Sequence, residues 1–134
     1  MKKRDLRFIS DLFSFRIIKD EFDYEYVVFE NSSIDEIHNV LDKTEFEALE
    51  NHVHLCDHIK MKDMEQLTIT GNRLGTALLY TLKAAYPQKE FVVYVSISIK
   101  DSMIIRFHQK WKDECYYYDS NQEGANEKIL KFES

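Results

Sequence analysis

The sequence predicts an α+β fold: a twisted antiparallel sheet with one long amphipathic helix packed on one face. Three patterns carry that prediction. Leu67, Gly71, Leu74, Leu78, Leu82 and Ala85 recur at steps of three and four, which is one face of a helix. Phe91, Val93, Val95, Ile97 and Ile99 alternate with Val92, Tyr94, Ser96 and Ser98, and Met103, Ile105 and Phe107 resume the apolar side after "KDS". That is an antiparallel hairpin with one buried face. Phe13, Phe15 and Ile17 alternate with Ser14 and Arg16, and "YEYVVFE" at 24–30 is rich in aromatic and β-branched residues, so a first hairpin turns at "DEFD".

Taken in order, the chain opens with Leu6, Ile9 and Phe13 at helical spacing, a short N-terminal helix. The first hairpin follows from Leu12 onward. In "SSIDEIHNVL", Ser33 and Glu36 match a capping box and Ile34, Ile37 and Leu41 line one face, which predicts a short helix. Thr44 and Glu47 repeat the box signature. The long helix ends at Pro87, and Gly71 and Gly75 weaken it while allowing close approach to a sheet. After the second hairpin, "ECYYYD" at 114–119 reads as a third strand and "SNQEGANEK" as a loose polar tail.

The 134 residues suit one domain, 1–134, and 44% hydrophobic residues can bury a sizeable core. No apolar run is long enough to span a membrane, and no continuous apolar segment follows "MKKRDLRFIS", which argues against a signal peptide. The expected location is cytoplasmic. Cys56 and Cys115 make neither a disulfide framework nor a CxxC pair. The net charge of -6 disfavours nucleic acid as a partner and favours a basic protein. With three glycines and one proline there is no GxGxxG and no GxxxxGK[ST], so no nucleotide cradle is expected.

Three constellations bear on chemistry. "NHVHLCDH" at 51–58 places His52, His54, Cys56 and His58 on one face if 51–59 is a strand, each about 6.6 Å from the next. His52, His54 and His58 are then candidate zinc ligands, although a defined remaining ligand set is missing; the stronger expectation is no cofactor and a solvated face. A helical reading of the same stretch puts Phe46, Leu49, Val53 and Cys56 on one side. Second, Arg106 and His108 share a strand face with Lys110, opposite Tyr94, Ser96 and Ser98. Such a set could serve a hydrolase or ribonuclease, with histidine as general base and the cations on phosphate. An exposed basic stripe is the plainer account. Third, Trp111, Tyr116 and Tyr118 stand among Asp113, Glu114 and Asp119. Aromatic anchors framed by carboxylates are what a basic partner protein would meet.

The segment "SISIKDSMIIRFHQKWKDECYYYD" resembles, through Arg106, Phe107, His108 and Glu114 ("RFHxxxxxE"), small bacterial immunity-type proteins of polymorphic toxin and contact-dependent inhibition systems. The resemblance covers the last third of the chain. It implies a small, acidic, cytoplasmic protein that binds a toxin domain and blocks it. On that basis the expected function is non-enzymatic neutralisation of a basic toxin domain, such as a nuclease. Asp113, Glu114, Tyr116, Tyr118, Asp119, Trp111, Arg106 and His108 are the candidate partner-binding residues, with neither nucleic acid nor membrane as a partner.

Overall fold

The computed structural model describes residues 2–55, 63–100, 102–118 and 127–134. Helices α1 (Lys3–Leu12), α2 (Lys43–Glu50) and α3 (Met64–Ala85) accompany strands β1 (Phe15–Lys19), β2 (Glu25–Phe29), β3 (His52–His54), β4 (Phe91–Ser98), β5 (Ser102–Gln109) and β6 (Glu127–Glu133). The strands form two antiparallel sheets, β1-β2 and β3-β5-β4-β6. The chain is α+β, with its long helix on the four-stranded sheet.

The apolar alternation sets the core. Val93, Val95 and Ile97 of β4 join Met103, Ile105 and Phe107 of β5 beneath Leu67, Leu78 and Leu82 of α3. The helix starts at Asp63, whose side chain accepts from the Glu65 N–H, and its glycines set how closely it lies on the sheet. A Cβ at Gly75 would sit 2.2 Å from the Phe132 ring, and one at Gly71 would sit 3.1 Å from Val95 and Ile97. Helix α1 contributes Phe8 and Leu12 to the same core, while Leu6 and Ile9 stay exposed. In the β1–β2 turn, Asp20 accepts from the N–H groups of Phe22 and Tyr24 and from the Tyr26 hydroxyl, and Asp23 takes φ 66°.

Several sequence expectations are corrected. Residues 33–41 form no helix. Arg16 donates to the carbonyl oxygens of Ser32 and Ile34, and Ile37 bridges Asp20 in parallel, so tertiary hydrogen bonds hold the backbone that a helix would use. Ile37 is buried and Leu41 fully exposed, so the supposed apolar face does not exist. Residues 114–118 form no strand. Asp113 has φ 64°, and the N–H groups of Tyr117 and Tyr118 donate to His108 and Tyr94 side chains rather than to a ladder. The remaining neighbour of β4 is β6, which begins at Glu127 inside the stretch read as a loose tail. Finally, the Thr44/Glu47 box does not start α2. Asp42 caps it by accepting from the Glu45 N–H, and Thr44 and Glu47 are both buried. The 51–59 stretch is neither wholly strand nor wholly helix: α2 runs to Glu50, β3 covers His52–His54, and residues 56–59 lie outside the described residues.

Candidate functional site

Helix α2 is inverted. Its buried side chains are Thr44, Glu47 and Ala48, and Asn51 at the C-cap is buried as well. Its apolar side faces out: Leu49 is 48% exposed and Phe46 only partly covered. The reason lies in what the polar residues do. The Glu47 carboxylate accepts four hydrogen bonds, two on each oxygen. Oε1 takes the Gln109 N–H at 2.8 Å and the Trp111 indole N–H at 2.7 Å. Oε2 takes the Val27 N–H at 3.0 Å and the Gln109 side-chain amide at 2.7 Å. Asn51 donates to the Val27 carbonyl and accepts from the Phe29 N–H, and Gln109 donates to the Glu25 carbonyl. Side chains thus take the place of a neighbouring strand along the inner edge of β2 and tie the two sheets together. Burial raises the Glu47 carboxyl to about 7 against the opposing pull of those donors.

Glu114 works from the other end of α2. Its carboxylate accepts from the N–H groups of Lys43 and Thr44 and from the Thr44 hydroxyl, and pairs with the Lys43 ammonium at 3.1 Å. Partial burial pushes its pKa up, but the hydrogen bonds from Thr44 and Lys43 outweigh this and hold it below the usual carboxylate range. Lys43 also lies over the rings of Tyr24 and Trp111. Glu114 and Trp111 are therefore engaged inside the molecule, and Asp113 is exposed in the turn between them.

The Arg106/His108 face is covered rather than open. His108 is fully buried; Nδ1 donates to the Gln109 carbonyl, and Nε2 accepts from the Tyr94 hydroxyl at 3.0 Å and the Tyr117 N–H at 3.3 Å. That assignment is a neutral imidazole with both nitrogens satisfied, in keeping with a pKa lowered chiefly by desolvation. Tyr116 packs against His108 and beneath the Lys131 ammonium. Tyr118 packs edge-on against Tyr94, and Arg106 lies over Tyr117 and Tyr118. Asp119 lies outside the described residues.

His52 and His54 are exposed on one face of β3 with ring centroids 5.3 Å apart, and His52 Nδ1 donates to the Leu49 carbonyl. His58 and Cys56 lie outside the described residues, among which no group of three or more His, Cys, Asp or Glu side chains is placed to hold a metal ion. Cys115 is a free, exposed thiol.

What sequence reading missed is the surface that the inversion of α2 creates. His38, Val40, Leu41, Phe46 and Leu49 line a groove of about 390 Å³ whose acidic members are Asp42 and Glu45. Beside it, Glu21 accepts from the Asn39 N–H, and His38 bonds to both Glu21 and Glu36. These bonds raise the His38 pKa, that to Glu36 most. Among the described residues no lysine or arginine lines the groove. The signal was present in the sequence: Thr44, Glu47, Ala48 and Asn51 also step as a helical face, but a polar one.

The family model described as "Uncharacterized protein PM0498 family" matches residues 7–134. No curated protein and no solved structure matches the chain.

Proposed function

We propose that this chain, which belongs to the Uncharacterized protein PM0498 family, is a non-enzymatic binding protein of the immunity type that neutralises a basic toxin domain by direct contact. The observation that carries the reading is the groove on α2. A helix that buries a carboxylate and an amide while presenting Leu49, with Leu41 fully exposed beside it, keeps an apolar surface in water. Asp42, Glu45, Glu36 and Glu21 surround that surface with carboxylates, two of them paired with His38. An apolar centre with an acidic rim is complementary to a basic protein: the carboxylates steer the encounter and the leucines anchor it.

The groups that could have carried catalysis support the same reading. His108 has both nitrogens occupied, and Glu47 has both oxygens occupied by donors. Among the described residues no helix is long and apolar enough to cross a membrane.

The test is inhibition of any toxin domain found encoded beside this gene. At equimolar ratio the protein is expected to suppress that domain's activity and to co-elute with it. Leu41→Asp and Leu49→Asp, both on exposed positions, are expected to abolish suppression while leaving the thermal unfolding midpoint close to wild type. Undiminished toxin activity in the presence of folded wild-type protein would refute the reading.

A further inference from the structure

The end of the polar sheet face not covered by residues 111–118 holds a second feature, independent of the α2 groove. Ser96 lies between Ile104 of β5 and Ile129 of β6. These three, with Arg106, Tyr118 and Lys128 among the walls, line a cavity of about 270 Å³. Arg106 stands at the covered end, its guanidinium held against the rings of Tyr117 and Tyr118.

The hydrogen bonding of Arg106 is incomplete. A guanidinium offers five N–H donors. One bond is formed, from Nη1 to the Ala48 carbonyl at 3.0 Å. Nε is buried with no partner, and no carboxylate among the described residues pairs with the side chain. A buried donor without an acceptor is destabilising, and the native arrangements that retain one commonly serve a ligand. The planar fork of arginine matches an oxyanion better than any other partner.

We infer that this cavity binds a small oxyanion, a carboxylate or a phosphate, with Arg106 as the anchoring cation. Ser96 offers a hydroxyl on the same face of the sheet as Arg106. Among the described residues Glu127, paired with Ser98 across the strands, is the one carboxylate of the lining and repels an anion from the far end, so the charge sits at Arg106. The volume lies just below the range of drug-sized ligands, which suits a ligand of few atoms. Tyr118 closes the Arg106 end and Ile104 and Ile129 flank the floor, so the apolar part of a carboxylate ligand has a place to lie.

The experiment is a ¹⁵N–¹H NMR titration of the whole chain with sodium phosphate and, separately, sodium acetate, at ionic strength held constant with sodium chloride. The Arg106 Nε–H resonance reports the state of the guanidinium. A saturable shift of that resonance with phosphate, acetate or both is expected, and the salt that produces it identifies the class. Arg106→Lys keeps the charge but loses the fork, and Arg106→Gln loses both; each is expected to weaken binding by at least about tenfold, read from the Ser96 and Tyr118 amides. Absence of a saturable Arg106 shift with either salt overturns the proposal on wild-type protein alone. So does a response of the Ser96 and Tyr118 amides that persists unchanged in folded Arg106→Gln.

Discussion

Replacing Glu47 with glutamine tests the central polar junction. Burial raises the native carboxyl to about 7 from an ordinary 4.5, while in the unfolded chain it titrates normally. The sign follows from proton uptake. Between those values the native state keeps a proton that the unfolded state has lost, so stability falls as pH rises. The contribution is fully present below 4.5 and lost as pH passes through about 7. At about 1.4 kcal/mol per pKa unit, the loss across that window is about 3 kcal/mol. Glutamine has the same shape and does not titrate. Its amide nitrogen faces donors where a carboxylate oxygen met them, which adds a destabilising offset at every pH.

The diagnostic quantity is therefore the slope of the difference, not the offset. Urea unfolding of wild type and Glu47→Gln at steps from pH 4.5 to 8 gives it directly. Trp111, the chain's single tryptophan, donates to Glu47 and makes fluorescence a local probe. The stability difference between the two proteins is expected to move by about 3 kcal/mol across the window, in the direction that favours the variant as pH rises. Native wild-type emission is expected to titrate with a midpoint near 7, a transition the variant lacks. His108, lowered by burial, is common to both proteins and cancels in the difference. Parallel profiles from pH 4.5 to 8 would refute the desolvation argument.

Other outcomes follow from single contacts. Gly75→Ala drives a methyl into the Phe132 ring at 2.2 Å; overpacking less the gain in helix propensity leaves a net loss of about 1–2 kcal/mol in urea unfolding, relieved in a Phe132→Leu background. Glu114→Gln is expected to cost about 1 kcal/mol by weakening the N-terminal contacts of α2. It also removes a stability term that in wild type is present above 4.5 and lost as pH falls through the lowered native pKa, which acid unfolding of both proteins will read. For His108, whose native pKa lies below 6.5, stability is present above 6.5 and lost on acidification; imidazole NMR at pH 7 is expected to show the neutral Nδ1–H tautomer. A charged His108 at that pH would contradict the buried tyrosine network.

The parts of the fold legible in the sequence are those where one periodicity dominates. The β4–β5 alternation and the α3 stripe are long, and their apolar residues go to the core except Ile99 and Ala85 at their ends, which are exposed. Gly71 and Gly75 were readable as contact points because a small residue on an apolar helix face implies a close neighbour. Legibility fails where local pattern and tertiary partner conflict. Ile34, Ile37 and Leu41 have helical spacing, yet Arg16 takes the carbonyls of Ser32 and Ile34 from across the chain. Strand β6 is charged at four of its seven residues, so Leu130 and Phe132 were too few to mark it against its polar neighbours. At 111–119 the residue types were noticed but not their direction. Glu114 and Trp111 turn inward to α2, and His108 is sealed by the tyrosines that follow it.

These inward turns and the exposed groove have one physical cause. A two-stranded sheet is marginal by itself, and the inner edge of β2 carries backbone groups that need partners. A third strand would supply them from its own backbone. Here α2 and the end of β5 supply them from Glu47, Asn51 and Gln109 side chains. Helical geometry then leaves no choice about the other side: with positions 44, 47, 48 and 51 turned inward, Phe46 and Leu49 are carried toward solvent. An apolar residue at 49 is not required by that constraint, since any helix former would serve there. Leu41, fully exposed in an irregular segment, is not required either. Lysine or glutamate at both positions would satisfy the fold equally and remove apolar surface from water. Leu41→Lys with Leu49→Lys therefore separates folding from recognition. The double variant is expected to unfold within about 0.5 kcal/mol of wild type, as exposed substitutions do, while losing suppression of the toxin domain. A loss of several kcal/mol in the same variant would mean that the leucines support the fold, and the groove would lose its claim to be the partner surface.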